Sequence, residues 1–554
     1  MTGLFFLSLT MSPTAEACGG FFCSNEPMDQ SAERIVFAID DQASTVEMHV
    51  QVMYAGSAEK FAWVVPVPEV PEIGLSTDDL FMNLSERFRP VFTPNIIEEG
   101  TCGWGSGSYY SDALAEDGGY TASTDESASG GVTVVDEGEV GPYETVTLQA
   151  TSSELLVDWL QENDYDLPDA LDPVLAPYVA DGSYFVALRL QAKESVGALQ
   201  PLSLTWSGTQ ATIPIQLTSV AATPDMRLEA YVLGAHRAVP DNYLHVRIND
   251  AAIDWFSAWW DPGYERAITW AADEAGGQAF ATDYAGVTER MHHVLYPERG
   301  IDTDDLAKLT DVVDFLEWVR NYLNSSTTLY NLLTEYVPPP RGVDAADFYN
   351  WTESYTDMLD DYTFDPVAAA EALEERIVAP AREANQLFFD HAKITRLTSS
   401  ISPVEMTLDP IFVYNPDMSD VSGEWEADLY WMCKDGSTWY DANRRIELPD
   451  GRVMVVPSEK WLDDHDYTYA DLLERITDHY AKSIERTGSV GEAEVVWTLG
   501  ADDGLGEIDD FEFDLDSYNN GDVAGCGCTS MEPASWAPLS LFCLALIRRR
   551  RDNA

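Results

Sequence analysis

The stretch Arg34-Ile35-Val36-Phe37-Ala38-Ile39 is apolar, and Asp40 to Ala43 then breaks it with a polar turn. Beyond the turn, Val46, Met48, Val50, Val52 and Tyr54 alternate with Glu47, His49 and Gln51. A period of two on either side of a polar turn predicts a β-hairpin with one face buried. Phe61-Ala62-Trp63-Val64-Val65 predicts a third strand. Pro66 and Pro68 lack a donor for the ladder, so they end that strand or place it at an edge. Residues 18–100 therefore read as a β-rich N-terminal unit built on a small antiparallel sheet.

Residues 101–143 are rich in Gly, Ser and acid and poor in apolar residues, which predicts a loop or linker. Thr145 to Ala150 predicts a strand. Thr151-Ser152-Ser153-Glu154 has the spacing of a capping box before a helix whose apolar face is Leu155, Leu156, Trp159 and Leu160. Tyr184 to Leu190 and Met226 to Leu233 return to strand, so 144–300 reads as an α+β middle region. Between Ala251 and Tyr284 stand Trp255, Phe256, Trp259, Trp260, Tyr264 and Trp270. Exposed, such rings would stack on sugars. Buried, the commoner outcome, they would form a core.

From Thr303 the period changes. Leu306, Leu309, Val313, Leu316, Val319 and Leu323 predict one amphipathic helix. Pro338-Pro339-Pro340 breaks the chain. Asp365-Pro366 opens another helix, with a cap and a first-position proline, that carries Val367, Ala370, Leu373 and Ile377, and Pro380 kinks or ends it. Strands are expected near Ile411 to Tyr414 and Arg452 to Val456. Residues 301–500 are thus helical and then mixed. The expected class is α+β, antiparallel and β-rich in the N-terminal and middle regions, with amphipathic helices inserted in the C-terminal half.

Composition adds size and charge. The 554 residues are 45% hydrophobic and 11% aromatic, enough for real cores and for two or three domains. Against 96 Asp and Glu stand 31 Lys and Arg, a formal net charge of −65. No basic residue occurs from Pro90 to Leu188 or from Thr487 to Ile547. A surface this negative repels nucleic acid, so neither DNA nor RNA is an expected partner. It suits saline surroundings; collection of calcium is the minority reading. Residues 501–525 read as an acidic tether. Within it Asp514-Leu515-Asp516-Ser517-Tyr518 alternates carboxylates as a calcium loop begins, but lacks the glycine and closing glutamate of one.

Leu4 to Thr10 is a short apolar run, followed by Pro13 and by Ala15-Glu16-Ala17 before Cys18. These are parts of a secretory signal over residues 1–17, cut after Ala17 so that Cys18 leads the mature chain. No basic residue precedes the run, so the expected start lies upstream of Met1 or the signal is truncated. Glu16 fits a lipoprotein site poorly, and ordinary cleavage with Cys18 in a disulfide is the expectation. Cys18, Cys23, Cys102 and Cys433 remain in the exported body. Three pairings are open, with Cys18–Cys23 and Cys102–Cys433 favoured over a metal site, because no second close Cys/His pair accompanies the first.

At the other end, Gly525-Cys526-Gly527-Cys528 precedes an apolar segment from Ala534 to Ile547 and then Arg548, Arg549, Arg550 and Arg551. The segment is interrupted by Pro538 and is short for a stable span. The arginines would stay cytoplasmic and leave the body outside. Residues 526–554 resemble the MYXO-CTERM sorting tag of myxobacteria. That resemblance implies recognition by the export machinery, cutting by a C-terminal sorting protease, and lipid attachment at Cys526 or Cys528, which holds the protein on the outer membrane. A membrane anchor that is never cut is the alternative.

CGGFFC at 18–23, FAWVVPVP at 61–68, DEAGGQAFATDYAG at 273–286 and SPVEMTLDPIFVYNPDMSDV at 402–421 together resemble an exported bacterial family known only as a domain of unknown function. The resemblance implies that Cys18 and Cys23 belong to the folded body; it implies no activity. No HExxH, phosphate-binding loop or GxSxG occurs. His292-His293 is the only close histidine pair, and adjacent residues do not face one metal. No catalytic, cofactor-binding or metal-ligating residue is assigned, and no cofactor is expected. The expected function is non-enzymatic binding, adhesion or envelope organisation at the cell surface, with the ligand open. The alternative is a secreted hydrolase or protease, which would need a concave site where His, Asp or Glu converge.

Overall fold

The computed structural model describes residues 21–23, 29–55, 61–102, 132–163, 165, 171–191, 199–220, 222–259, 261–433, 438–500 and 511. All but Phe511 fall in the first of the two units into which the chain divides, Met1–Asp509. The class is α+β, as the patterning predicts.

The scaffold is a sheet of ten strands. From one edge to the other they are Glu494–Thr498, Ala481–Arg486, Leu244–Ile248, Ala279–Val287, Lys393–Ile401, Ala222–Gly234, Asp29–Asp40, Thr45–Ala55, Leu202–Ser207 and Glu72–Leu75. Neighbours run antiparallel except at two places. Leu244–Ile248 lies parallel to Ala279–Val287, and Ala222–Gly234 lies parallel to Asp29–Asp40.

The expected hairpin is present as Asp29–Asp40 and Thr45–Ala55. Its first strand is buried on both faces rather than one. Ile35, Phe37 and Ile39 enter one core, while Val36 and Ala38 enter another. A run without alternation is what a strand covered on both sides requires. The third expected strand, Phe61–Val67, joins a different sheet of five, in the order 21–23, 61–67, 184–190, 143–150, 132–140. The two sheets share a core in which Trp63, Val65 and Val186 meet Ile35, Met48 and Leu228. The outer side of the five-stranded sheet is covered by helices Ser153–Glu162 and Leu171–Ala180, through Leu156, Leu160, Leu171 and Leu175. The cap of the first helix is Ser152, one residue past the expected position: its hydroxyl accepts from Leu155 N–H.

On its other face the ten-stranded sheet carries two further cores. Helices Asp78–Phe88 and Ala379–Asp390 pack on the middle strands. Helix Tyr264–Glu274 packs near one edge, together with a third sheet of four strands in the order Val453–Val456, Arg444–Glu447, Glu424–Cys433, Val91–Gly100. The last two run parallel, with Cys433 opposite Gly100. Two residues on, Cys102 closes a disulfide with Cys433 across 331 residues of sequence. In the chain-entropy picture so long a loop contributes on the order of 5 kcal/mol. Cys18 lies outside the described residues, and with it the other expected pairing.

Three local expectations change. Val132–Val140, expected as loop, is a strand paired with Tyr143–Ala150. It is an edge strand with mostly exposed side chains, so it needs no apolar alternation. The helix expected from Leu306 to Leu323 is two, Thr303–Leu306 and Val312–Tyr322, because Asp311 caps a new start through Val313 and Asp314 N–H. Pro380 does not end its helix. A π turn at Glu374–Val378 leads directly into Ala379–Asp390, where proline takes an early position.

Between the two cores on this face runs a row of buried charge. Arg396, 1% exposed, lies with its Nε 3.1 Å from Asp283 Oδ2 and its Nη2 3.4 Å from Glu229 Oε1, and its Nη1 donates to Ser85 O at 3.2 Å. Glu229 also meets Arg227 at 2.9 Å and Arg34 at 3.4 Å and accepts from Tyr231 O–H. Asp283 accepts from Tyr264 and Thr398 hydroxyls at 2.7 and 2.5 Å. Burial raises both carboxyls. In Glu229 the three arginines outweigh it and hold the group below its ordinary value, whereas in Asp283 burial wins. Removing one partner of a buried pair leaves the other uncompensated, at a cost of about 3–5 kcal/mol. Arg396→Met is therefore expected to lower unfolding free energy by about that amount, read from denaturant midpoints. Adding Asp283→Asn recovers part of the loss. A single variant within about 1 kcal/mol of the parent would contradict this account.

Candidate functional site

Leu244-His245-Val246-Arg247-Ile248 alternates polar and apolar residues, so Val246 and Ile248 enter the core and His245 and Arg247 share the other face. Helix Tyr264–Glu274 then crosses over to Ala279–Val287, which returns parallel to the first strand and makes a βαβ unit. The parallel pairing stops at Val246–Ala281. Beyond it a cleft of about 1050 Å³ opens, lined by Arg247, Ile248, Thr282, Arg237, His245 and Glu485 and by the segment from Met418 to Asp428. The carboxyl ends of neighbouring parallel strands are where open sheets characteristically leave room for a ligand. The volume is near the upper end of small-molecule sites, about 300–1,000 Å³.

The cleft's far wall is held close by one glycine. Val421 bridges Ala285, and two residues on Gly423 adopts φ 73°, with Asp283 O only 2.9 Å from where a Cβ would stand. A side chain there would push this segment off the strand.

Within the cleft a chain of hydrogen bonds runs through His245. The imidazole Nδ1 lies 3.2 Å from Glu485 Oε2, and Nε2 lies 2.9 Å from Thr282 Oγ1. His245 and Glu485 are direct cross-strand partners, so their contact follows from register. Ser483 O–H donates to the other Glu485 oxygen at 2.7 Å. Arg237 donates through Nη2 to Thr282 Oγ1 at 3.3 Å and through Nη1 to Ser419 O at 2.7 Å. Its Nε is buried without a hydrogen-bond partner among the described residues.

Pairing irregularities cluster at these residues. The ladder shifts between Arg247 and Ile248, between Thr282 and Tyr284, and between Ile484 and Glu485. Bulges re-aim side chains and gather at functional corners of sheets. The bulge at Asp283 has two effects. Thr282 stays on the cleft face opposite Leu397, while Asp283 and Tyr284 both turn to the other face, toward Arg396 and Phe88.

Burial pushes the His245 imidazole below its ordinary value more strongly than Glu485 pulls it up, with Arg237 and Arg247 adding to the fall. His245 is thus neutral at neutral pH. Burial raises the Glu485 carboxyl, but hydrogen bonds from His245 and Ser483 and the charge of Arg247 bring it below its ordinary value. With Glu485 anionic, the Nδ1 proton belongs to that bond and Nε2 is left as the acceptor for the Thr282 hydroxyl. Lys482, also in the lining, is neutralised by Asp250 and Asp450. Glu424 and Glu426 line the cleft from the opposing sheet and are exposed.

Among the residues singled out from sequence, Cys102 and Cys433 are joined, away from the cleft. Ala17, Cys18, Cys526, Cys528 and Arg548 to Arg551 lie outside the described residues, as do Trp260 and Asp514 to Tyr518. His292 bonds Phe388 O and stacks on Phe389, and His293 meets the same ring edge-on. Of the aromatic run, Trp255 is fully buried and Trp259 exposed, while Trp270 stacks on Tyr480. Sequence reasoning missed Arg237, His245, Arg247, Thr282 and Glu485. A signal was present: the stretches 273–286 and 402–421, noted for family resemblance, contain Thr282 and Asp420 of the lining. Among the described residues no three His, Cys, Asp or Glu are arranged to hold a metal, and no helix is long and apolar enough to cross a membrane.

A family model described as "Uncharacterized protein conserved in bacteria (DUF2330)" matches residues 12–316, more than half of the chain. The match takes in Arg237, His245, Arg247 and Thr282 and ends before Glu485. No curated protein and no solved structure matches the chain.

The lowered value of His245 carries a sign that can be checked. Below pH 6.5 the unfolded chain takes up a proton at this residue more readily than the folded one. Its stabilising contribution is present above that pH and is lost as pH falls. Ring NMR is expected to show His245 titrating below 6.5, and lower still in Glu485→Gln, where the anion that raises it is gone. A midpoint at or above 6.5 in the parent would overturn the assignment.

Proposed function

The chain belongs to the DUF2330 family of uncharacterised bacterial proteins, and from that footing we propose that it is an exported protein, held at the cell surface, that binds a small anionic ligand in the cleft at the end of its βαβ unit. The observation that carries the binding half is a pair of arginines, Arg237 and Arg247, that make no close ion pair among the described residues in a chain of net charge −65, with Glu485 acting on both only through its charge. Arg247 is exposed on the cleft face, and among the described residues no hydrogen bond or ion pair engages it. Arg237 is buried, spends two nitrogens on Ser419 and Thr282, and keeps its Nε without a hydrogen-bond partner among the described residues. Burial depresses the Arg237 value, Glu485 opposes the fall, and Arg247 lies near enough to add to it. Two cations that repel each other where acid outnumbers base threefold are suited to a carboxylate or phosphate between them.

The surface half rests on the ends of the chain. The apolar run before Ala17 and Cys18 supports export. The Cys526/Cys528 motif, the short apolar segment and Arg548 to Arg551 support capture by a sorting protease and a lipid anchor in the outer membrane. The disulfide Cys102–Cys433 is compatible with an oxidising compartment.

Titration calorimetry with succinate and with inorganic phosphate tests the cleft. At least one anion is expected to bind, about 10–100-fold more weakly to Arg247→Glu, the loss of one charged hydrogen bond. Binding of neither anion, or unchanged affinity in the variant, overturns the reading. Mass spectrometry of the protein from its native envelope tests the anchor. The expected species begins near Cys18, lacks the four arginines and carries lipid on Cys526 or Cys528, whereas a chain still ending at Ala554 refutes the sorting step.

A further inference from the structure

The cleft holds more than a grip for an anion. We propose that Thr282 is a nucleophile, activated by His245 and positioned by Glu485, and that the protein cleaves carboxylic esters whose acyl part carries an anionic group for Arg247. This rests on the binding reading for its substrate class and goes beyond it in assigning chemistry.

The geometry is that of a hydroxyl, a base and an orienting carboxylate. Thr282 Oγ1 is 2.9 Å from His245 Nε2, and the opposite ring nitrogen is 3.2 Å from Glu485. The arrangement is recognised by roles, not by chain order. Three separate strands supply the three groups, Thr282 and Glu485 each beside a break in the ladder and His245 two residues before one. Thr282 is half-buried and faces the cleft, so a substrate can reach it. Arg237 Nη2 donates to the same oxygen at 3.3 Å and so favours its ionised form as the proton leaves.

The reaction balances without a further reagent. Thr282 Oγ attacks the ester carbonyl carbon while its proton passes to His245 Nε2. The carbon–oxygen bond to the alcohol breaks, and His245 returns the proton to the departing alkoxide. Water then attacks the acyl-threonine with His245 again as base, which releases the carboxylic acid and restores the hydroxyl. The sum is ester plus water giving acid plus alcohol.

The groups facing His245 are Glu485 and Ser483 from one neighbouring strand, Thr282 from the other, and Arg237 and Arg247. Glu485 is a positioning residue: it sets the tautomer and touches no substrate. A fluorophosphonate, which phosphonylates an activated hydroxyl with loss of fluoride, is the probe. In the intact protein one phosphonate is expected on the peptide containing Thr282, together with hydrolysis of the mono-p-nitrophenyl ester of succinate. Thr282→Val abolishes both, and Thr282→Ser retains labelling. His245→Gln slows labelling by about 10²–10⁴-fold. Glu485→Gln moves the midpoint of the pH–labelling profile downward, which a merely structural carboxylate would not do. Circular dichroism and melting confirm that each variant is folded; if Thr282→Val fails to fold, the labelled position in the parent decides. Absence of adduct at Thr282, or labelling at another residue that accounts for all turnover, overturns the proposal. If succinate and phosphate still bind through Arg247, the binding reading stands alone.

Discussion

A guanidinium buried at the centre of a sheet has to be neutralised where it stands, and Arg396 sets that condition for the whole molecule. Its partners come from different parts of the chain: Glu229 from one neighbouring strand, Asp283 from the other, and the Ser85 carbonyl from a helix laid across them. They meet only if the central strands pair in one register and the helix docks at one height. Apolar contacts would tolerate a slip with partial loss. A displaced ion pair in a dry interior would not, because each unpaired charge carries its full desolvation cost. The row therefore acts against misregistration, and it divides the two apolar cores that cover this face.

The same requirement reaches the cleft through one residue. Asp283 is the bulged position of its strand and the partner of Arg396, and Thr282 beside it is the hydroxyl bonded to His245. A change that loosens Asp283 would be expected to turn Thr282. Core and site are two faces of one irregularity, which is why the sheet keeps a defect in the middle of an otherwise continuous ladder. Gly423 reinforces it from the other side, since the segment it belongs to lies against the Asp283 carbonyl.

Local structure was legible wherever a short stretch decides its own conformation. The helix at Pro366–Leu373 starts where Asp365 and Pro366 say it should, with the Asp365 side chain accepting from two N–H groups. The hairpin turn after Asp40 lies where its polar residues predict. Legibility ended where a neighbour supplies the missing half of the signal. Val132–Val140 is exposed and acidic and reads as loop; only its pairing with Tyr143–Ala150 makes it a strand. Pro380 reads as a helix end, and the preceding π turn removes the need for one. The site residues were harder still. His245, Thr282 and Glu485 are single polar residues in three strands as far apart as 240 positions, with no motif spacing to connect them.

By itself the sequence determined the charge, the capped helices, the apolar strands and the α+β class, because each is a property of composition or of neighbours within a few residues. Only the tertiary structure decided that Cys102 meets Cys433, that strands from opposite ends of the chain share one ten-stranded sheet, and that a histidine, a threonine and two arginines face one cleft. The physical reason is the same in each case. Long-range strand order is chosen by which surfaces can be buried together, and a buried polar group declares its partner only when the strands that carry it have been laid side by side.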